Sequence, residues 1–326
     1  MHRRQKGHEM QNLTQLQHFK LVAREGSFAR AADLAHITQP ALSNSIRSLE
    51  RRLGFQLFER SERPVRLTPV GKSILDRVDA LLFEARNLDQ MLENLSIGKG
   101  GQLRVGMTAV FSTSLGGPIL AEWHARHPDV KLNLIIDETT RLVHGLREEV
   151  YDFIVGDARD LREDIDDLNL IEMPPQAGGA FCRSGHPILT IRRPQPSDLA
   201  RYRFAGTHFP KSVARAFASF VGRQDRAGPP IVAIDSHNIA ALRDAVAESD
   251  LILLTTSGCV RNQLALGILH QIPVELGING VWSVVTRRGR VLQPAAQKLI
   301  EKIIEIAARE HDHRLHSYAH QFAIRR

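Results

Sequence analysis

Residues 27–54, SFARAADLAHITQPALSNSIRSLERRLG, constrain the fold more than any other stretch of the chain. Ser27 is a good cap for a first helix running through Ala31, Ala32 and Leu34, residues that let a second helix cross closely. Thr38 then caps a second helix, Pro40 falls in its first turn, where a missing N–H does no harm, and Gly54 supplies the stop. At about 100° per residue, Leu42, Ile46, Leu49 and Leu53 share one narrow stripe, the face to be buried. Pro40, Ser43, Asn44 and Arg47 lie opposite or beside it and point outward. The pattern predicts a helix-turn-helix. Short polar groups plus Arg at a helix N-terminus are what a major-groove reader needs, because the leading turn reaches base edges and its free N–H groups favour phosphate. An amphipathic helix in any small bundle has the same wheel, and the wheel alone leaves both readings open.

The flanks extend the motif. Residues 1–11 are expected to form a disordered leader, and Thr14 to Arg24, with Leu16, Phe19, Val22 and Ala23 at helical spacing, supplies the helix that completes a three-helix core. Gly26 separates it from the motif. After Gly54, Phe55–Arg60 and Val65–Leu67 are short extended runs joined by SERP, which suits a β-hairpin wing carrying Arg60, Arg63 and Arg66 toward phosphate or the minor groove. Thr68-Pro69 starts another helix, a cap followed by proline at the first helical position. There Ile74, Val78, Leu81, Ala85, Leu88, Leu92 and Leu95 alternate steps of four and three, a heptad seam on a rod of about 40 Å. Such a seam wants a partner. A second copy of the chain and the helix's own domain are both candidates. IGKGG, residues 97–101, is the expected flexible joint.

The runs AREGSFARAADLAHITQPALSNSIRSLERRLGFQLFER and VRLTPVGK closely resemble, without gaps, the N-terminal domain of LysR-type transcriptional regulators. The resemblance implies sequence-specific binding to double-stranded DNA. Within it, Thr38, Gln39, Pro40, Ser43, Asn44 and Arg47 read or buttress the groove, Arg30 and Arg66 hold phosphate, and Ser27, Arg60 and Thr68 complete the DNA-binding set. Family members usually carry Arg and Gln after the Leu-Ser of the second helix, whereas this chain has Asn44 and Ser45. In the family the helix after the wing is the dimer-forming linker, so the resemblance implies a homodimer or homotetramer with two reading helices on successive turns of one DNA face.

Charge agrees. Residues 1–70 hold 12 Lys and Arg against 6 Asp and Glu, while the rest of the chain holds 31 against 30. A basic module beside a neutral one suggests a polyanion-binding part joined to a part that does not bind nucleic acid. With 326 residues, 43% hydrophobic, the chain can build two or three domains with real cores. No apolar run approaches the roughly 18 residues of a membrane span, and MHRRQKGHEM lacks an apolar signal region. A cytoplasmic protein without a membrane partner is expected. Cys182 and Cys259 form no disulfide framework or metal motif; they read as buried small hydrophobes, with a redox switch as the alternative.

From Gln102 the pattern becomes α/β. Leu103–Met107, Leu132–Asp137 and Phe153–Gly156 are apolar strands with helical segments between, which predicts right-handed crossovers and a parallel sheet. Leu168–Met173 leads out to Pro174-Pro175. A second set follows, with strands near Gly179–Cys182, Ile231–Asp235 and Leu251–Thr255 and helices near Lys211–Val221 and His237–Glu248. After Ile272-Pro273, Val281–Thr286 and a helix from Pro294 to about Arg309 return to the first lobe. Two proline-flanked crossings suggest a hinge between two lobes with a cleft between them.

This half resembles the family's effector-binding domain, itself similar to periplasmic solute-binding proteins. The expected architecture is α+β and multidomain: a winged helix-turn-helix (12–68), a linker helix (69–96), a hinge (97–101), a two-lobed effector domain (lobe I 102–173 and 274–310, lobe II 174–273) and a tail (311–326). Hydroxyls gather where strands give way to helices, namely Thr108 and Ser112, Thr139 and Thr140, and Ser236 with Asn238. Helix N-termini facing one cleft favour a small anion such as a carboxylate, although each hydroxyl taken singly also reads as a cap. By resemblance Thr108, Ala109, Thr139, Thr207, His208 and Phe209 fall near effector positions, and Glu248-Ser249-Asp250 replaces a small apolar run.

Catalytic motifs are weak. Gly71-Lys72-Ser73 lacks the earlier glycine of a phosphate loop, where Arg66 stands, and no HExxH, paired CxxC, nucleophile elbow or dinucleotide fingerprint occurs. His316 and His320 in the tail could share a helical face and take a metal, against a solvated tail as the plainer reading. The chain is therefore expected to be a regulator and no enzyme, with neither metal nor cofactor. Its expected partners are double-stranded DNA, a small effector and its own copy, with RNA polymerase left open. A cytoplasmic solute-binding or transferase-like protein is the rival.

Overall fold

The computed structural model describes residues 13–59, 64–96, 101–161, 165–209, 211–222, 232–277 and 279–323, and the chain divides into two compact units, Met1–Leu95 and Ser96–Arg326. In the first, caps set the elements. Helix α1 spans Leu13–Glu25. Ser27, in extended conformation, accepts from the Arg30 N–H at 3.4 Å and opens α2 (Phe28–Leu34). Thr38 likewise accepts from the Ala41 N–H at 3.4 Å and opens α3 (Gln39–Leu53), which ends at Gly54 in the left-handed region at φ +78°. Leu42, Ile46 and Leu49 are fully buried against Leu16, Phe19 and Val22 of α1 and Ala31 and Ala32 of α2. Leu34, expected at the crossing, is exposed instead; it is the last residue of α2 and lies past the contact made by the two alanines.

The wing is shorter than its extended runs predict: β1 (Phe58–Glu59) pairs antiparallel with β2 (Arg66–Leu67), Phe58 opposite Leu67. Pairing begins late because the Leu57 N–H is taken by the buried Glu50 carboxylate of α3, at 2.8 Å. Arg60 and Arg63 lie outside the described residues. Thr68 accepts from the Gly71 N–H at 3.0 Å, donates to the Gln56 carbonyl at 2.8 Å, and so starts α4 (Pro69–Ser96). A Cβ on Gly71 would sit 2.3 Å from the Leu57 carbonyl oxygen, so that glycine serves helix–wing packing. The seam on α4 divides. Val78 is buried in the core of this unit with Leu82, and Ile74 is half-buried there, whereas Leu81, Leu88 and Leu92 are 46%, 56% and 56% exposed.

The second unit is built on two sheets. Its first elements are β3 (Gln102–Met107), α5 (Ala109–Arg126), β4 (Lys131–Ile136), α6 (Thr139–Arg147), β5 (Phe153–Gly156) and β6 (Leu168–Glu172). Then come β7 (Gln176–Arg183), α7 (Pro196–Leu199), β8 (Phe204–Gly206), α8 (Lys211–Phe220), β9 (Val232–Asp235), α9 (Ile239–Ala247), β10 (Ile252–Thr256), α10 (Arg261–Ala265), β11 (Leu269–Gln271) and β12 (Asn279–Gly280). The chain returns through β13 (Ser283–Arg287) and α11 (Pro294–Ala323). One sheet runs β4-β3-β5-β13-β6; the other runs β11-β7-β10-β8-β9, with β12 also on β7, so the second sheet takes in residues beyond 273.

The first three strands, β3, β4 and β5, pair parallel as expected, but neither sheet is parallel throughout. Strand β3 runs parallel to β4 and β5, and β8 parallel to β9 and β10, but β13 is antiparallel to β5 and β6 and β7 antiparallel to β10, β11 and β12. The crossover rule governs only strand–helix–strand units, and β7 and β13 enter their sheets directly from the other half. Leu103, Val105, Phe111, Phe153, Val284, Leu299 and Ile303 fill the first core, where Phe111 meets Trp282 edge-on at 5.2 Å. Ala180, Ile188, Leu199, Phe204, Phe217 and Ile252 fill the second.

Two further features are structural. Glu149 holds a left-handed φ of +59° after α6, and its buried carboxylate takes ion pairs from Arg287 and Arg290, each at 3.0 Å. Cys182 and Cys259 are buried free thiols; burial pushes Cys182 up to about 12 and raises Cys259. Cys259 donates to the Val110 carbonyl at 3.4 Å. Helix α11 continues past the expected end near Arg309 to Ala323, and the His311 ring lies 2.8 Å from the Pro175 carbonyl oxygen. His313, His316 and His320 have no described side chains; among described residues no group of His, Cys, Asp and Glu has the arrangement of a metal site.

Candidate nucleic-acid interface and ligand site

On α3 the buried stripe forces its complement outward. Thr38, Gln39, Pro40, Asn44 and Arg47 are exposed and Ser43 is half-buried, all starting from the helix N-terminus, where unsatisfied N–H groups carry positive partial charge. Arg47 donates to Asn44 Oδ1 at 3.0 Å. Ser45 is turned to other use: its hydroxyl is 2.7 Å from Nδ1 of His18 on α1, and burial holds the His18 pKa below its ordinary value. Arg30 is exposed and donates to the Glu25 carbonyl. Arg66 is exposed on β2 of the wing, opposite Glu59. Ser27 and Thr68 serve as helix caps, and Arg60 lies outside the described residues. The roles of His18 and Glu50 were not legible beforehand, because a single polar residue beside an apolar stripe has no periodic signature.

In the second unit, Thr108 and Thr139 come together where β3 and β4 end. A Cβ on Gly156, at the end of β5, would lie 3.1 Å from Thr108 Cγ2 and 3.2 Å from Thr139 Oγ1. The Thr108 hydroxyl is buried, makes no cap to α5 and has no hydrogen-bond partner among the described residues. An unmet buried hydroxyl costs about 1–3 kcal/mol, so an external acceptor or donor there would be gained rather than merely exchanged for water. Ala109 is buried with Phe181 and Ala205 of the second sheet, and Ser112 lies one turn along α5.

On the other side Thr207 is buried and the Phe209 ring covers Gly206, where a Cβ would meet it at 2.7 Å. His208 is exposed, 3.2 Å from Asp235 Oδ2. Ser236 accepts from the Asn238 N–H and Asn238 caps α9 through the Ala241 N–H, both at 3.1 Å. The two sides are joined by His237 Nε2 and Glu138 Oε1 at 3.2 Å; Glu138 immediately precedes α6, and His237 lies one residue before the Asn238 cap of α9. Neither was anticipated, although each adjoins residues that were. Glu248-Ser249-Asp250 is a structural knot: Ser249 donates to the Ala245 carbonyl and Asp250 pairs with Arg183 at 2.8 Å.

An exposed polar helix face on a basic three-helix-and-wing module, carried with a two-sheet α/β unit, defines a ligand-responsive DNA-binding protein by its architecture. Comparison with known proteins gives the family. Residues 13–72 match the bacterial regulatory helix-turn-helix protein model of the lysR family, and residues 96–308 match the LysR substrate binding domain. The chain is 35% identical over 305 residues to the SDS degradation transcriptional activation protein of a Pseudomonas species, covering 92% of this chain and 98% of that one. It is 25% identical over 295 residues to a probable RuBisCO transcriptional regulator of Cyanophora paradoxa, covering 90% and 91%. Full-length OxyR from Pseudomonas aeruginosa has the same fold, with a TM-score of 0.64 at 22% identity over 92% of this chain and 97% of that one. Full-length CbnR complexed with its target DNA aligns at a TM-score of 0.53 and 16% identity, over 91% of this chain and all of its own length. The chain belongs to the LysR-type transcriptional regulators. No described helix is long and apolar enough to cross a membrane.

Proposed function

We propose that this regulator reads a specific DNA sequence by laying the exposed face of α3 in the major groove, works as a homodimer or a homotetramer, and answers to a small anion held between the two sheets of its second unit. The carrying observation is the division of α3 into a fully buried stripe, Leu42, Ile46 and Leu49, and an exposed polar edge from Gln39 to Arg47. Exposed Leu81, Leu88 and Leu92 on α4 support pairing, since an unpartnered leucine seam is covered most simply by its own copy. The unmet Thr108 hydroxyl beside Thr139 supports a ligand that accepts hydrogen bonds, such as a carboxylate or sulfate. The relative named for SDS degradation makes alkyl sulfates the first effectors to try. The protein acts in the cytoplasm, without catalysis of its own.

Titration of the full chain with labelled duplex at two salt concentrations tests this. Phosphate neutralisation predicts a negative log–log slope, about −0.9 per phosphate contacted. Salt-independent or absent binding would overturn it and favour a solute-binding protein without a DNA role.

A further inference from the structure

Several polar groups of α3 and its cap are already engaged within the protein. Thr38 Oγ1 accepts from the Ala41 N–H, Ser45 is bonded to His18 on α1, and Glu50 accepts from the Leu57 N–H. Over residues 39–47 the exposed edge is left with Gln39, Asn44 and Arg47, with Ser43 half-buried beside them, and exposed Arg51 follows Arg47 one turn nearer the C-terminus. Asn44 and Arg47 are not independent: one helical turn apart, they share the 3.0 Å bond from the Arg47 guanidinium to Asn44 Oδ1. That bond engages the Asn44 carbonyl, so the pair presents mainly N–H donors, namely the Asn44 amide NH₂ and the remaining guanidinium hydrogens.

Base edges answer such a surface unequally. In the major groove guanine shows two acceptors, N7 and O6, and no donor, whereas adenine shows an acceptor next to a donor. The bidentate asparagine–adenine contact needs the side-chain carbonyl as acceptor, and here Arg47 engages it. We propose that Asn44 is a positioning and specificity residue, which holds the Arg47 guanidinium over the groove and biases each half-site toward guanine at the step Arg47 faces. This rests on the reading of α3 as the groove helix.

The test is selection from a randomised duplex pool by the full chain, comparing wild type with N44A, N44D, R47A and the N44A/R47A double variant. Both positions are exposed, so circular dichroism should show all variants folded. Wild type should enrich a motif with guanine at one fixed step of each half-site. N44A should keep the rest of the motif but lose roughly 5- to 150-fold of the discrimination at that step. R47A should lose discrimination at the same step, and the double variant should be no worse there than R47A alone. N44D, which keeps an oxygen for Arg47 to donate to, should retain the guanine step, whereas a role for Asn44 as a direct donor to the base would make N44D lose it. An unchanged guanine step in N44A, or loss at a different step from R47A, would overturn the proposal. A wild type that enriches no motif would overturn the groove reading itself, and is told apart because it fails before any variant is compared.

Discussion

The leucine seam of α4 gives a prediction with a magnitude. Leu81, Leu88 and Leu92 are about half exposed in the single chain, while Val78 and Leu82 on the same helix are buried in the core of the first unit. Fully burying a leucine side chain is worth about 1.5–3 kcal/mol, so covering the exposed half of each contributes about 0.8–1.5 kcal/mol. Replacing Leu88 and Leu92 with serine removes four such contributions from a dimer, about 3–6 kcal/mol in all. At 1.4 kcal/mol per decade, the dimer dissociation constant should rise roughly 10²- to 10⁴-fold. Sedimentation velocity across a wide concentration range reads this directly, and circular dichroism should show the monomer still helical, because the unit's own core is untouched. The control is Leu82→Ser, which should unfold the first unit through its core. A double variant that keeps the wild-type mass at every concentration would refute the reasoning, since the exposed seam would then have no part in assembly.

Two other predictions concern stability. Glu149→Ala strips the buried carboxylate from between Arg287 and Arg290 and should cost about 3–5 kcal/mol, seen as a lower urea midpoint with an unchanged slope; a midpoint within error of wild type would show the pairs to be ornamental. His18 has its pKa lowered by burial, so the folded state disfavours its charged form. Its effect is absent above the unfolded value of about 6.5 and grows as pH falls from there toward the depressed folded value. Stability of the first unit should therefore fall on the acid side, and His18→Asn should flatten that limb below about pH 6.5. Parallel melting-temperature profiles for wild type and variant would contradict this.

What the sequence made legible was what carries its own punctuation. Ser27, Thr38, Pro40 and Gly54 state helix ends through groups that act within a few residues, and Leu42, Ile46 and Leu49 repeat at the helical period. The strands of two or three residues, β8, β11 and β12, offer no period to detect. The direction of β7 and β13 depends on crossings between the two sheets, which no local pattern records. Helix α11 runs past its expected end near Arg309 because no glycine or proline follows before Ala323 to stop it. At the candidate ligand site the hydroxyls of Thr108, Thr139 and Ser236 and the amide of Asn238 are legible from their place at strand ends. The His237–Glu138 bridge is not, because its two halves are 99 residues apart and meet only through the fold.

The structure of the full chain bound to a duplex recovered by selection tests the central claim most directly. The account predicts α3 lying in the major groove with Gln39, Pro40, Ser43, Asn44 and Arg47 against base edges, twice per dimer. A complex in which that edge faces solvent or protein, with the DNA held elsewhere, would contradict it.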